Sequence, residues 1–95
     1  MDKVEYLHQF KIEEQIEMET QKILAKYDIS NYDNKDFFIV VAEEFGEIAS
    51  NINHQNKIGI MNNNTQENLE YELLQLITIS KLWLNKLRVS KSADE

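Results

Sequence analysis

Apolar residues recur along this chain at three- and four-residue steps in three stretches, with short polar segments between them. In the first, from about residue 3 to 27, Ile12, Ile16, Ile23, Leu24 and Tyr27 form a thin stripe at helical spacing, with Glu19 and Thr20 filling its gap. Val4, Leu7 and Phe10 read as an earlier turn of this helix or as a separate short one. The outer face carries Glu13, Glu14, Glu17, Lys22 and Lys26, and the dense acids Glu13, Glu14, Glu17 and Glu19 read as a solvated surface. The second stretch, about 34 to 53, places Phe37, Phe38, Val41, Phe45, Ile48, Ala49 and Ile52 at helical steps. The apolar run from Phe37 to Val41 is also compatible with a short strand, but continuation of the pattern to Ile52 favours helix. The third, about 65 to 88, is marked by Leu69, Leu73, Leu76, Ile77, Ser80, Trp83, Leu84 and Leu87. Leu74, Ile79 and Leu82 make it apolar nearly all round, which predicts burial on most sides.

The expected architecture is therefore all-α. Three main helices form a bundle in a single domain spanning 1–95, and residues 89–95 are expected to be a disordered tail. Two other helices of so short a chain are too few to cover the third, so homo-oligomerisation is expected to complete the bundle. Ser30, Asn31, Asp33 and Asn34 supply turn and capping chemistry before the second helix. The Asn-rich stretch from Asn53 to Asn64 reads as a loop long enough to have a function. Asn64 or Thr65 reads as the next N-cap, with Glu67 at capping-box spacing from Asn64.

Composition narrows the function classes. There are no prolines and only two glycines, which suits long helices. There is no cysteine, so disulfides and thiolate metal sites are excluded, and a reducing, cytoplasmic setting is expected. No apolar run approaches the ~20 residues that span a bilayer, so no membrane partner is expected. The formal net charge is -7 and the ten Lys and Arg are scattered. Nucleic-acid backbone binding is therefore not expected, and an anionic ligand would need a cation to mediate.

The candidate chemistry lies inside the apolar stretches. Glu43, Glu44 and Glu47 fall within an otherwise apolar run that also contains Gly46. A glycine in mid-helix costs about 1 kcal/mol relative to Ala, and close approach of another helix is the expected reason. Glu44 and Glu47 are three apart, hence neighbours on one helix surface, as are Glu72 and Gln75. If the second and third helices pack antiparallel, the two pairs can face each other and form an oxygen cage of the kind magnesium prefers. Three unpaired carboxylates near one point repel, and a cation relieves that repulsion. Glu43 is expected to stand behind the ligands or at the surface. Lys57, in the expected loop, and Lys81, Lys86 and Arg88, after the second pair, are candidates for phosphate contact. His8 and His54 show no zinc or dyad pattern, and Trp83 reads as core or interface.

The run Ala42-Glu43-Glu44-Phe45-Gly46-Glu47 resembles the first motif, Glu-x-x-Glu, of the MazG-like family of all-α nucleoside triphosphate pyrophosphohydrolases. Glu72-Leu73-Leu74-Gln75 falls where that family carries Glu-x-x-Asp, at a similar interval. The resemblance covers about residues 35 to 88. It implies that Glu44, Glu47 and Glu72 are catalytic, holding Mg²⁺ with Gln75 as a further ligand. It also implies hydrolysis of a nucleoside triphosphate to the monophosphate and pyrophosphate, and a homodimer or homotetramer. Gln75 departs from the pattern: its carbonyl can ligate a cation but brings no charge and no base. A non-catalytic helical dimerisation or interaction protein is the alternative that this departure leaves open.

Overall fold

The computed structural model describes the backbone of residues 8–58 and 63–94, and the side chains of 8–53 and 68–90. Its regular elements in these residues are all helical. Helix α1 spans Ile12–Lys26, a 3-10 turn spans Ile29–Asn31, α2 spans Asn34–Ile58 and α3 spans Asn63–Asp94. No strand occurs among the described residues, so the run from Phe37 to Val41 is helix. Among the described residues, no helix is long and apolar enough to cross a membrane.

α3 is the spine: α2 packs along it most extensively, and α1 packs against it as well. α1 is shorter than its expected range of 3 to 27. Lys11 is extended at φ -67°, ψ 155°, so the helix starts after it. The preceding turn is latched by Gln15, whose Nε2 donates to the Phe10 carbonyl at 2.9 Å. Residues 1–7 lie outside the described residues. α1 ends where Tyr27 turns extended, its N–H still donating to Ile23 at 2.8 Å.

α2 starts with a reciprocal cap. The Asp36 N–H donates to Asp33 Oδ1 at 2.9 Å, and the Asp33 N–H donates to Asp36 Oδ2 at 3.0 Å. The bonds from the backbone hold the Asp33 carboxyl below the usual range. At its other end α2 continues to Ile58, so residues 53–58 are helix where a loop was expected. No proline interrupts them, and Gly59 is the first strong helix breaker. α3 starts at Asn63, and the side chains of the expected cap, Asn64 to Glu67, lie outside the described ones. It continues to Asp94, through the stretch where a disordered tail was expected.

The core gathers where the three helices meet the 3-10 turn. Phe37 is fully buried, with Ile23, Ile29 and Ile79 around it. Its ring stacks on Trp83, with centroids 5.9 Å apart and planes 5° from parallel, and Tyr32 meets its edge at 5.3 Å. Burying such a side chain contributes about 1.5–3 kcal/mol. Trp83 satisfies its indole N–H on Asn34 Oδ1 at 2.8 Å, tying α3 to the start of α2. Lys86, a candidate for phosphate contact, is engaged by the backbone of the 3-10 turn. Its ammonium donates to the carbonyls of Ser30 at 2.7 Å and of Tyr32, fastening the 3-10 turn to α3.

The apolar stripe of α2 is covered along one edge only. Phe37 and Ile48 are buried, whereas Phe38, Phe45 and Ile52 point outward, Phe45 with 65% of its surface exposed. On α3, Leu74, Thr78 and Ile79 are buried, while Leu73, Ile77, Leu84 and Leu87 remain half exposed. Helices apolar nearly all round are thus left with uncovered apolar sides.

Candidate metal centre

The antiparallel packing of α2 on α3 brings Glu44, Glu47 and Glu72 together. Each offers a carboxylate oxygen, and these oxygens all lie within 4.8 Å of one another. The local reason is helical geometry. Glu44 and Glu47 lie one turn apart on α2 beside half-buried Val41 and buried Ile48, and Glu72 lies two residues before buried Leu74 on α3. The inward rows of the two helices carry these acids to the edge of the core, where both helices face α1.

The electrostatics reflect the crowding. Burial raises the Glu44 carboxyl above the ordinary range, with the charges of Glu47 and Glu43 adding to the rise, while a hydrogen bond with Glu72 opposes it. A hydrogen bond with Glu72 is the main cause that raises Glu47, followed by burial and the charge of Glu72. Oε2 of Glu44 is buried and has no hydrogen-bond partner. A buried carboxylate oxygen left so is costly, and a divalent cation would satisfy it. Magnesium takes hard oxygen donors and keeps positions for water and phosphate. The donor set and the orphaned oxygen both fit such an ion.

The triad lines a cleft of about 310 Å³ whose opposite wall is α1, with Glu19, Lys22, Ile23, Lys26 and Tyr27. Glu19 corrects the solvated-face reading of the first acidic run: it is 4% exposed, the one buried acid among the described residues. Its Oε2 accepts from Gln75 Nε2 at 2.5 Å and its Oε1 from Lys22 Nζ at 3.1 Å. The sequence carried the signal. Glu19 sits three residues after Ile16 and four before Ile23, on the apolar stripe itself, whereas Glu13 and Glu17 lie off it. Gln75 lines the cleft as expected, but its amide N–H turns to Glu19. Tyr71 bonds to Gln75 as well, and burial together with the charge of Glu19 raises its hydroxyl above the usual range.

The other expected residues distribute differently. Glu43 is exposed beside the triad and touches it through its charge on Glu44. It lines an adjoining depression of about 280 Å³ with Tyr27, Tyr32, Val40 and Ile79, which shares Glu44 and Gln75 with the cleft. Lys81 is exposed and lies outside the cleft lining. Two residues past buried Ile79, it projects from the opposite side of α3. Lys57 lies on α2 rather than in a loop, and its side chain is outside the described ones, as is that of His54. The lysines that do line the cleft, Lys22 and Lys26, come from α1, where they read as solvent-facing. His8 pairs with Glu70 at 3.2 Å, away from the cleft.

Compared with known families, characterised proteins and solved structures, the chain matches none.

Proposed function

We propose that this protein is a Mg²⁺-dependent nucleoside triphosphate pyrophosphohydrolase of MazG-like type that works as a homo-oligomer. The observation that carries the reading is the convergence of Glu44, Glu47 and Glu72 within 4.8 Å at a cleft that also holds lysines. Glu44, Glu47 and Glu72 would hold Mg²⁺, which when bound neutralises phosphate charge and lowers the pKa of bound water. Glu47 is the exposed member of the triad, and its second carboxylate oxygen can accept a proton from the solvent side. Water attacks the α-phosphorus, forming a new P–O bond. The bond to the bridging oxygen breaks, and pyrophosphate leaves with the electron pair. The proton from the water passes to Glu47 and then to solvent. The adjoining depression, with Tyr27 and Tyr32 among apolar neighbours, offers room for the nucleoside. The outward apolar residues of α2 and α3 supply a surface for a second copy, in a dimer or tetramer.

The test is to incubate the protein with a panel of nucleoside and deoxynucleoside triphosphates and Mg²⁺, and to quantify monophosphate and pyrophosphate. Turnover that requires Mg²⁺ and is lost in Glu44→Gln is expected. Absence of turnover with every member of the panel would falsify the enzymatic reading.

The uncovered apolar sides of α2 and α3 also favour a second reading, a helical interaction protein without catalysis. Thermal melts separate the two, because a ligand that binds only the folded chain raises its melting temperature. A flat response to Mg²⁺ with each nucleotide favours the interaction protein.

A further inference from the structure

Gln75, Glu19 and Lys22 form a continuous chain of hydrogen bonds from α3 across to the rim of the cleft on α1. Its middle member is a buried carboxylate. Burying such a group is unfavourable unless both oxygens are satisfied, and apolar residues of similar size usually serve stability as well or better. Here each oxygen has one donor, and the two donors differ in kind. Gln75 is a neutral amide inside the cleft; Lys22 is a cation whose side chain is 65% exposed. The arrangement is a buried carboxylate that anchors the tip of a largely exposed lysine side chain.

The charges in the cleft point the same way. The lining carries four carboxylates, Glu19, Glu44, Glu47 and Glu72, against two ammonium groups, Lys22 and Lys26, which leaves two negative charges. One divalent cation at the triad balances them, and only then does the cleft admit an anion. Lys26 is turned over the Tyr27 ring, 5.5 Å from its centroid. Lys22 is the cation held by a buried anchor, and holding a flexible lysine in place reduces the rotamer freedom it loses on binding.

We infer that Lys22 is the residue that binds the phosphate chain of the ligand, and that Glu19 and Gln75 are positioning residues that hold its ammonium at the rim opposite the triad. This rests on the metal–phosphate reading of the same cleft. It also gives Gln75 a role that an acid could not fill. An aspartate at 75 would set a second carboxylate against the buried Glu19.

The experiment is calorimetric titration with Mg²⁺ alone, and then with an α,β-methylene triphosphate analogue in saturating Mg²⁺. It compares the natural protein with Lys22→Met, Lys22→Arg, Glu19→Gln and Glu44→Gln. Lys22→Met is expected to bind Mg²⁺ as the natural protein does and to bind the analogue about tenfold to a hundredfold more weakly, the worth of one charge-assisted hydrogen bond. Lys22→Arg restores most of that affinity, which a merely structural role for the side chain would not produce. Glu19→Gln loses analogue affinity with little change for Mg²⁺, whereas Glu44→Gln loses both. If Lys22→Met binds the analogue as tightly as the natural protein does, the inference is overturned while the metal reading stands. If the natural protein binds neither Mg²⁺ nor the analogue, the metal reading fails and the inference falls with it.

Discussion

α1 and α2 each carry a dense run of glutamates, Glu13 to Glu19 on one and Glu43 to Glu47 on the other. In both runs the fate of an acid depends on its angular position on the helix. Glu13, Glu14 and Glu17 face solvent, while Glu19, on the Ile16–Ile23 stripe, is buried. Glu43 faces solvent, while Glu44 and Glu47 meet Glu72. The two inward groups then diverge. Glu19 finds donors for both oxygens, whereas the triad meets other carboxylates and leaves Oε2 of Glu44 without a donor. A satisfied buried acid fixes structure. A crowded group of acids with one orphaned oxygen costs stability instead.

The largest expected effect separates these roles at the triad. Glu72→Gln should weaken Mg²⁺ binding by about 100-fold or more, beyond the 10–100-fold typical of residues that only support a ligand. The same substitution should raise the melting temperature in the absence of Mg²⁺, because it removes repulsion. Calorimetry and thermal melts read the two effects, and a fall in both would place Glu72 in a structural role instead.

Next in size is the contrast within α1. Glu19→Ala strands the Gln75 amide and should cost about 1–3 kcal/mol in urea unfolding. Glu13→Ala, on the solvent face, should stay within about 0.5 kcal/mol. Equal costs would erase the distinction between the two positions.

The pH dependence sharpens the comparison further. Glu44 and Glu47 have raised pKa values in the folded chain, so the folded state binds their protons more tightly than the unfolded state does. Their contribution favours folding below the unfolded carboxylate range and is lost as pH rises through the raised values. Metal-free melts should therefore show this part of the stability falling as pH rises, and Glu44→Gln should flatten it. Saturating Mg²⁺ selects the deprotonated form and should reverse the slope over the same window.

The smallest effect concerns Gly46. Its neighbourhood corrects the expectation of a close helix: a Cβ added there meets nothing within 4 Å. Gly46→Ala should therefore stabilise α2 by about 0.5–1 kcal/mol in urea unfolding. A loss instead would show that the outer face of α2 packs on another copy in solution.

Much was legible before the fold was known. Periodicity placed three helices because helical burial repeats every three to four residues, and the capping residues around Asp33 marked the start of α2. Helix ends were less legible. Asparagines weaken a helix only slightly, so α2 passes through them to Ile58. Spacing paired Glu44 with Glu47 because residues three apart share a surface within one helix.

What the chain fixed alone was which residues share a side of one helix. What only the tertiary structure decided was which side meets which. It divided the apolar residues of α2 between a buried row and an outward one. It also set Glu72 beside Glu44 and Glu47, turned Gln75 toward Glu19, and brought Lys22 rather than Lys81 to the cleft. The reason is physical. Periodicity is a property of a single helix, whereas a site built across three helices depends on the angle and register at which their rows interlock.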